Sequence, residues 1–174
     1  INVNKVYTQG AELNIGYKIN KYFSATSGYQ LLFTADKNQL EKIKIGNVYT
    51  RDDNGISRKM KRDEYVGLPN RSRHMANFKL LFEKNNYFVN TRIMYRSHWA
   101  VSDRDGNGVY NTNDHFADGN VQVNISGGTT FNKNLRVQAG CDNLFNYSDI
   151  INLPGLAGRN IYISLAYQFS SNKK

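Results

Sequence analysis

The sequence predicts an all-β fold, an antiparallel up-and-down transmembrane β-barrel segment that contributes about seven strands to a larger barrel. Three observations predict it. Seven segments alternate apolar and polar residues with a period of two. The connections between them switch between very short and long. The aromatic residues of the apolar face gather at one end of the strands.

The first segment sets Leu13, Ile15, Tyr17 and Ile19 against Glu12, Asn14, Gly16 and Lys18. In the second, Phe23, Ala25, Ser27, Tyr29, Leu31 and Phe33 alternate with mostly polar partners. Ala76, Phe78, Leu80 and Phe82 form the third, and Tyr87, Val89, Thr91, Ile93 and Tyr95 the fourth. The fifth carries Val121, Val123, Ile125 and Phe131, the sixth Leu135, Val137, Ala139 and Cys141. Ile161, Ile163, Leu165, Tyr167 and Phe169 mark the last.

Asn20-Lys21, Lys84 to Asn86 and Asn132-Lys133 make the short connections, whereas residues 36–72, 97–118 and 147–158 make the long ones. A membrane barrel has short turns on its periplasmic side and long loops outside, and every connection obeys that rule if the last strand runs down to the periplasm. Tyr17, Phe23, Phe82, Tyr87, Phe131, Tyr167 and Phe169 all lie beside a short turn or the chain end. That is the ring expected at a lipid–water interface. The opposite face holds Lys79, Arg92, Arg96, Arg136 and Asp142, which suits a wet lumen better than a packed interior. A soluble lipocalin-like barrel or sandwich would also alternate, so the pattern alone leaves both readings open. Single-chain bacterial barrels have even strand counts, so seven strands place the missing ones upstream.

Composition agrees. Twelve Tyr, 9 Phe and 14 Gly against 2 Pro favour strands joined by tight turns. The lone Cys141 excludes an internal disulfide framework and a Cys-rich zinc site. Residue 1 is Ile, with no basic stretch and apolar run behind it, so a secretory signal is expected to be absent or removed. No apolar run is long enough for a membrane helix. The formal charge of +9 concentrates between Asp36 and Arg73, where 10 Lys or Arg face 6 Asp or Glu. That basic run lacks regularly spaced aromatics, which argues against nucleic acid as a partner.

Three stretches carry a family resemblance: Gly67-Leu68-Pro69-Asn70-Arg71-Ser72-Arg73-His74, Asp142-Asn143-Leu144-Phe145-Asn146, and Gly158-Arg159-Asn160 through Tyr167-Gln168-Phe169. In kind and order they resemble the last third of TonB-dependent receptors of the Gram-negative outer membrane. The resemblance implies a 22-stranded barrel filled by an N-terminal plug and energised through TonB. Residues 1–169 are then expected to be the C-terminal part of the barrel domain and 170–174 a polar tail, with plug and TonB box outside this sequence. Splitting of the last element by Pro154-Gly155 and Gly158-Arg159 is a small departure. The implied partners are outer-membrane lipids, the TonB complex, a nutrient chelate and the barrel-assembly machinery. Leu165, Tyr167 and Phe169 resemble the aromatic-ended terminal strand that this machinery recognises, although Ser170 to Lys174 continue past it.

Asp103-Arg104-Asp105-Gly106-Asn107-Gly108-Val109, with Asp114 at position 12, has the ligand spacing of a calcium loop. Asp103, Asp105, Asn107, the Val109 carbonyl and Asp114 would supply hard oxygen ligands, and Gly108 the sharp turn. Asp in place of Glu at the last position shortens its reach, and an ordinary Asn/Asp/Gly turn is the competing reading. Cobalamin receptors of the resembled family order their outer loops with calcium, so a calcium loop here favours cobalamin as the substrate. Arg58, Lys59, Lys61 and Arg62 offer a basic loop to an anionic chelate or lipid phosphates. His98 and His115 are candidate haem ligands, since members of that family that take up haem use loop histidines. No catalytic constellation stands out, so no enzyme activity is expected. The expected function is import of a ferric siderophore, haem or cobalamin, with a passive porin or a soluble ligand-binding β-domain as alternatives.

Overall fold

A computed structural model describes residues 5–52, 54–132 and 134–169. The strands are β1 (Val6–Lys18), β2 (Phe23–Asp36), β3 (Tyr49–Arg51), β4 (Ser57–Lys59), β5 (His74–Lys84), β6 (Tyr87–Arg96), β7 (Trp99–Ser102), β8 (His115–Ala117), β9 (Asn120–Phe131), β10 (Leu135–Asp142) and β11 (Asn160–Tyr167). One helix, α1 (Lys37–Lys44), follows β2, and a 3₁₀ turn covers Arg62–Glu64. The main antiparallel sheet has seven strands in the order β1-β2-β5-β6-β9-β10-β11, and these are the seven alternating segments. The strands β3-β4 and β7-β8 form two small sheets inside the first two long connections. The first strand begins at Val6, well before the alternation becomes legible at Leu13. The polar tail 170–174 lies outside the described residues.

Register turns the sequence periodicity into rows. Leu135 stands opposite Phe131 on one side and Tyr167 on the other. Val137 pairs with Thr129 and Leu165, and Cys141 with Ile125 and Ile161. Directly opposed residues share a face, so these odd-numbered residues form one apolar surface, with aromatics in the row beside the short turn. The rings of Phe23 and Phe82 lie 4.9 Å apart beside two other short turns.

Asparagine makes the tight turns. Asn85 (φ 54°) and Asn132 (φ 48°) adopt the left-handed conformation that Asn tolerates better than most residues. The Asn20 side chain instead accepts hydrogen bonds from the Tyr22 and Phe23 amides at 2.8 and 3.0 Å.

The chain divides into two compact units. One comprises Leu13–Tyr29, Ala76–Tyr95 and Asn120–Lys174. Its even-numbered face is less uniformly polar than the sequence suggests. The Phe88 ring lies over Gly128, close enough that an added Cβ would come within 2.9 Å of it. Arg136 in turn stacks its guanidinium 4.1 Å from the Phe88 centroid. Tyr162 covers Gly140 in the same way, at 2.5 Å. Aromatic rings thus fill the gaps left by glycines in the sheet.

Candidate functional site

The second unit comprises Ile1–Glu12, Gln30–Met75 and Arg96–Gly119, and it holds the first two long connections. Both fold into small elements of their own, which the alternation did not reveal. Asp36 ends β2 and its carboxylate accepts the Asn38 amide at 2.8 Å, capping α1. Lys42 and Lys44 sit in the last turn of α1, opposite in sign to the helix C-terminus. Gly46 (φ +74°) lets the chain leave it. Ile43 then packs with Val48, Met60 and Val109 in a buried cluster, flanked by Tyr65. Burial of such side chains stabilises by about 1.5–3 kcal/mol each, which gives the connections a core of their own.

Hydrogen bonds join the first connection to the second. The Asn107 side-chain amide donates to the Tyr49 carbonyl (2.9 Å), Asn113 to Arg51 (2.9 Å) and Gln39 to Gly108 (3.2 Å). The Val66 amide donates to Tyr110, and the Thr112 amide to Glu64.

The predicted calcium loop lies in this second connection, between the strands β7 and β8. Carboxylate oxygens of Asp103, Asp105 and Asp114 converge within 4.8 Å of one another. Asp103 accepts the Gly106 and Gly108 amides at 2.8 and 2.6 Å, and Asp114 accepts those of Arg104 and Asn111, both at 2.8 Å. Gly106 (φ +72°) and Gly108 (φ +79°) supply the left-handed turns. Burial raises the Asp114 pKa above the ordinary carboxylate range, and the charges of Asp103 and Asp105 add to that effect. Three mutually repelling oxygens suit a hard cation. The other two predicted ligands have protein partners: the Asn107 oxygen accepts the Val109 amide at 2.7 Å, and the Val109 carbonyl accepts the Asn111 side-chain amide at 3.5 Å.

The basic run is not one uniform patch. Arg58 forks onto the Glu64 carboxylate, and this contact holds Glu64 below its ordinary pKa. Lys59, Lys61 and Arg62 are exposed. His98 and His115 are also exposed. His98 packs edge-on against Phe116, whereas His115 stands opposite Ser102. Among the described residues, neither belongs to a cluster of three metal-ligating side chains.

Two of the sequence motifs have structural work. Arg96 donates from Nε to the buried Ser72 hydroxyl at 2.7 Å and from Nη2 to the Asn70 carbonyl at 3.4 Å. His74 and Ser97 exchange hydrogen bonds across the same junction. Asn143 (φ 51°), itself buried, closes the third long connection through Tyr147 and Ala157. Asn146 accepts the Arg159 amide at 2.8 Å. Leu165 and Tyr167 lie exposed on the edge strand β11, and Phe169 just beyond its end, its ring 4.8 Å from that of Tyr167.

The buried apolar cluster of the connections escaped the sequence reading because its members are far apart along the chain. Its one local signal was Asp36 ahead of a short segment with basic residues at its end.

A seven-stranded antiparallel sheet with alternating faces, short turns and long folded connections is an open segment of a β-barrel. The chain belongs to the TonB-dependent receptors: the family described as TonB dependent receptor-like, beta-barrel matches residues 1–144. No curated protein matches. The fold is similar to the ferric enterobactin receptor PfeA of Pseudomonas aeruginosa, with 16% identity over 97% of this chain and a TM-score of 0.65. It is also similar to the copper transporter OprC, with 17% identity over 94% of this chain and a TM-score of 0.61. This chain spans 23% of the former and 24% of the latter. The family places it in the outer membrane of a Gram-negative bacterium.

Proposed function

We propose that the chain is the C-terminal part of an outer-membrane receptor that imports a large, scarce nutrient, such as a ferric siderophore, haem or cobalamin. Energy would come through TonB and regions outside this sequence. Family membership across residues 1–144 carries the reading. The folded connections support it, because loops with their own core can hold a shape against a substrate. Within the reading, exposed Lys59 and Lys61 attract an anionic chelate, and Asp103, Asp105 and Asp114 hold calcium. The test is uptake by cells with the parent gene deleted and restored, using labelled ferric siderophore, haem and cobalamin. Loss of one uptake that a protonophore also abolishes is expected. Entry of many small solutes, indifferent to the protonophore, would instead identify a passive pore.

A further inference from the structure

A second basic site lies away from the calcium loop. Tyr7 on β1 and Phe33 on β2 have the odd parity of the apolar surface, and both lie at the ends of their strands remote from the Asn20 turn. With Tyr65, Arg62, Arg71 and Arg73 they line a cavity of about 120 Å³. The Arg73 guanidinium carbon lies 5.1 Å from the Phe33 centroid, which props that side chain against the apolar surface. Among the described residues the one ion pair is Arg58–Glu64, so none of these three arginines has a carboxylate partner. The Asp36 carboxylate accepts the Asn38 amide and forms no ion pair with them.

We propose that Arg62, Arg71 and Arg73 bind the phosphate of an anionic lipid headgroup in the outer leaflet. The proposal rests on the membrane-barrel reading, which sets odd-numbered residues against lipid and the long connections outside. Guanidinium forks match phosphate oxygens in pairs, and the aromatic partners are those that settle at a membrane interface. A free phosphate would offer the same oxygens but no acyl chains for the adjoining apolar strands. The site faces the leaflet, away from the lumen through which substrate passes.

The purified parent protein is reconstituted in phosphatidylcholine vesicles containing either diphosphoryl lipid A or its dephosphorylated form. Bound lipid is then counted by native mass spectrometry. The wild type is expected to retain only the phosphorylated lipid. Affinity should fall about fivefold for each of Arg62→Gln, Arg71→Gln and Arg73→Gln, and about a hundredfold for all three together. Lys79→Gln with Arg92→Gln, on the opposite face, should leave retention unchanged. Heat-modifiable gel mobility reports folding, and the single variants carry the test if the triple variant does not fold. Equal retention of both lipids, unchanged binding by the folded variants, or competition by inorganic phosphate at the lipid's own concentration would each overturn the proposal. A parent protein that fractionates away from the outer membrane sinks the receptor reading. One that fractionates with it but carries no phosphorylated lipid sinks this inference alone.

Discussion

The guanidinium carbon of Arg96 lies 3.7 Å from the centroid of the Trp99 ring, which is itself only 2% exposed. The same guanidinium holds Ser72 and Asn70, so one side chain pins the approach to β5 and the start of the second connection. Lysine would keep the charge but lose the flat stacking face and the fork. Arg96→Lys is therefore expected to weaken this junction by about 1–2 kcal/mol. Faster hydrogen exchange at residues 70–74 and 99–102 would show it; unchanged protection would remove Arg96 from this role.

Asn143 supports a sharper comparison, because its backbone and its side chain are both under demand. Alanine loses three hydrogen bonds and keeps an unfavourable positive φ, for an expected cost of about 2–4 kcal/mol. Glycine loses the same bonds but accepts the φ, recovering about 1 kcal/mol. Urea unfolding of the parent protein with each variant measures the difference. Equal stabilities would mean that the left-handed backbone contributes nothing.

These two residues also show what was legible. The asparagine turns and the odd-even faces follow from local chemistry and were readable residue by residue. The partners of Arg96 and Asn143 were not, because Ser72, Trp99, Tyr147 and Ala157 meet them only after the chain folds back. The helix α1 escaped for a related reason. Its segment is short, with Ile43 its one buried residue, and what fixes it is contact with Val48, Met60 and Val109. Of the predicted calcium ligands, the three carboxylates converge as their spacing suggested. Asn107 is drawn toward Tyr49, a residue that spacing within one loop could not reveal.

Leu165 stands opposite Val137 in the apolar row and is 70% exposed. As a lipid-facing residue near mid-membrane, its replacement by arginine should destabilise the parent barrel by about 2–4 kcal/mol. Spin labels at 125, 137 and 165 should report lipid. Water at all three positions would refute the face assignment.

Removing the chain after Tyr167 deletes Phe169 and its edge-on ring contact. Assembly in cells is expected to suffer more than refolding in detergent. Equal surface levels of truncated and intact parent protein would count against an assembly role for that ring.

The Asp114 carboxyl carries a pH signature. Its pKa is raised in the folded loop, so the proton it holds stabilises the calcium-free fold at low pH. That contribution fades as pH rises through the window just above the ordinary carboxylate range. Calcium would act in the opposite sense, binding better as Asp114 loses its proton, with a Kd on the order of 10⁻⁴–10⁻³ M. Calorimetric titration across that window, beside Asp103→Asn with Asp105→Asn, tests this. No heat from the parent at millimolar calcium, or equal binding by both, would leave the loop as a turn alone.

Val109 is 1% exposed, and its cluster partners Ile43, Val48 and Met60 all come from the other long connection. A shared core of this size cannot be half dissolved, since exposing one member strips contacts from the rest. The two connections therefore behave as a single cooperative element, although β5 and β6 separate them along the chain. Any molecule that grips one of them spends or gains free energy in the other as well.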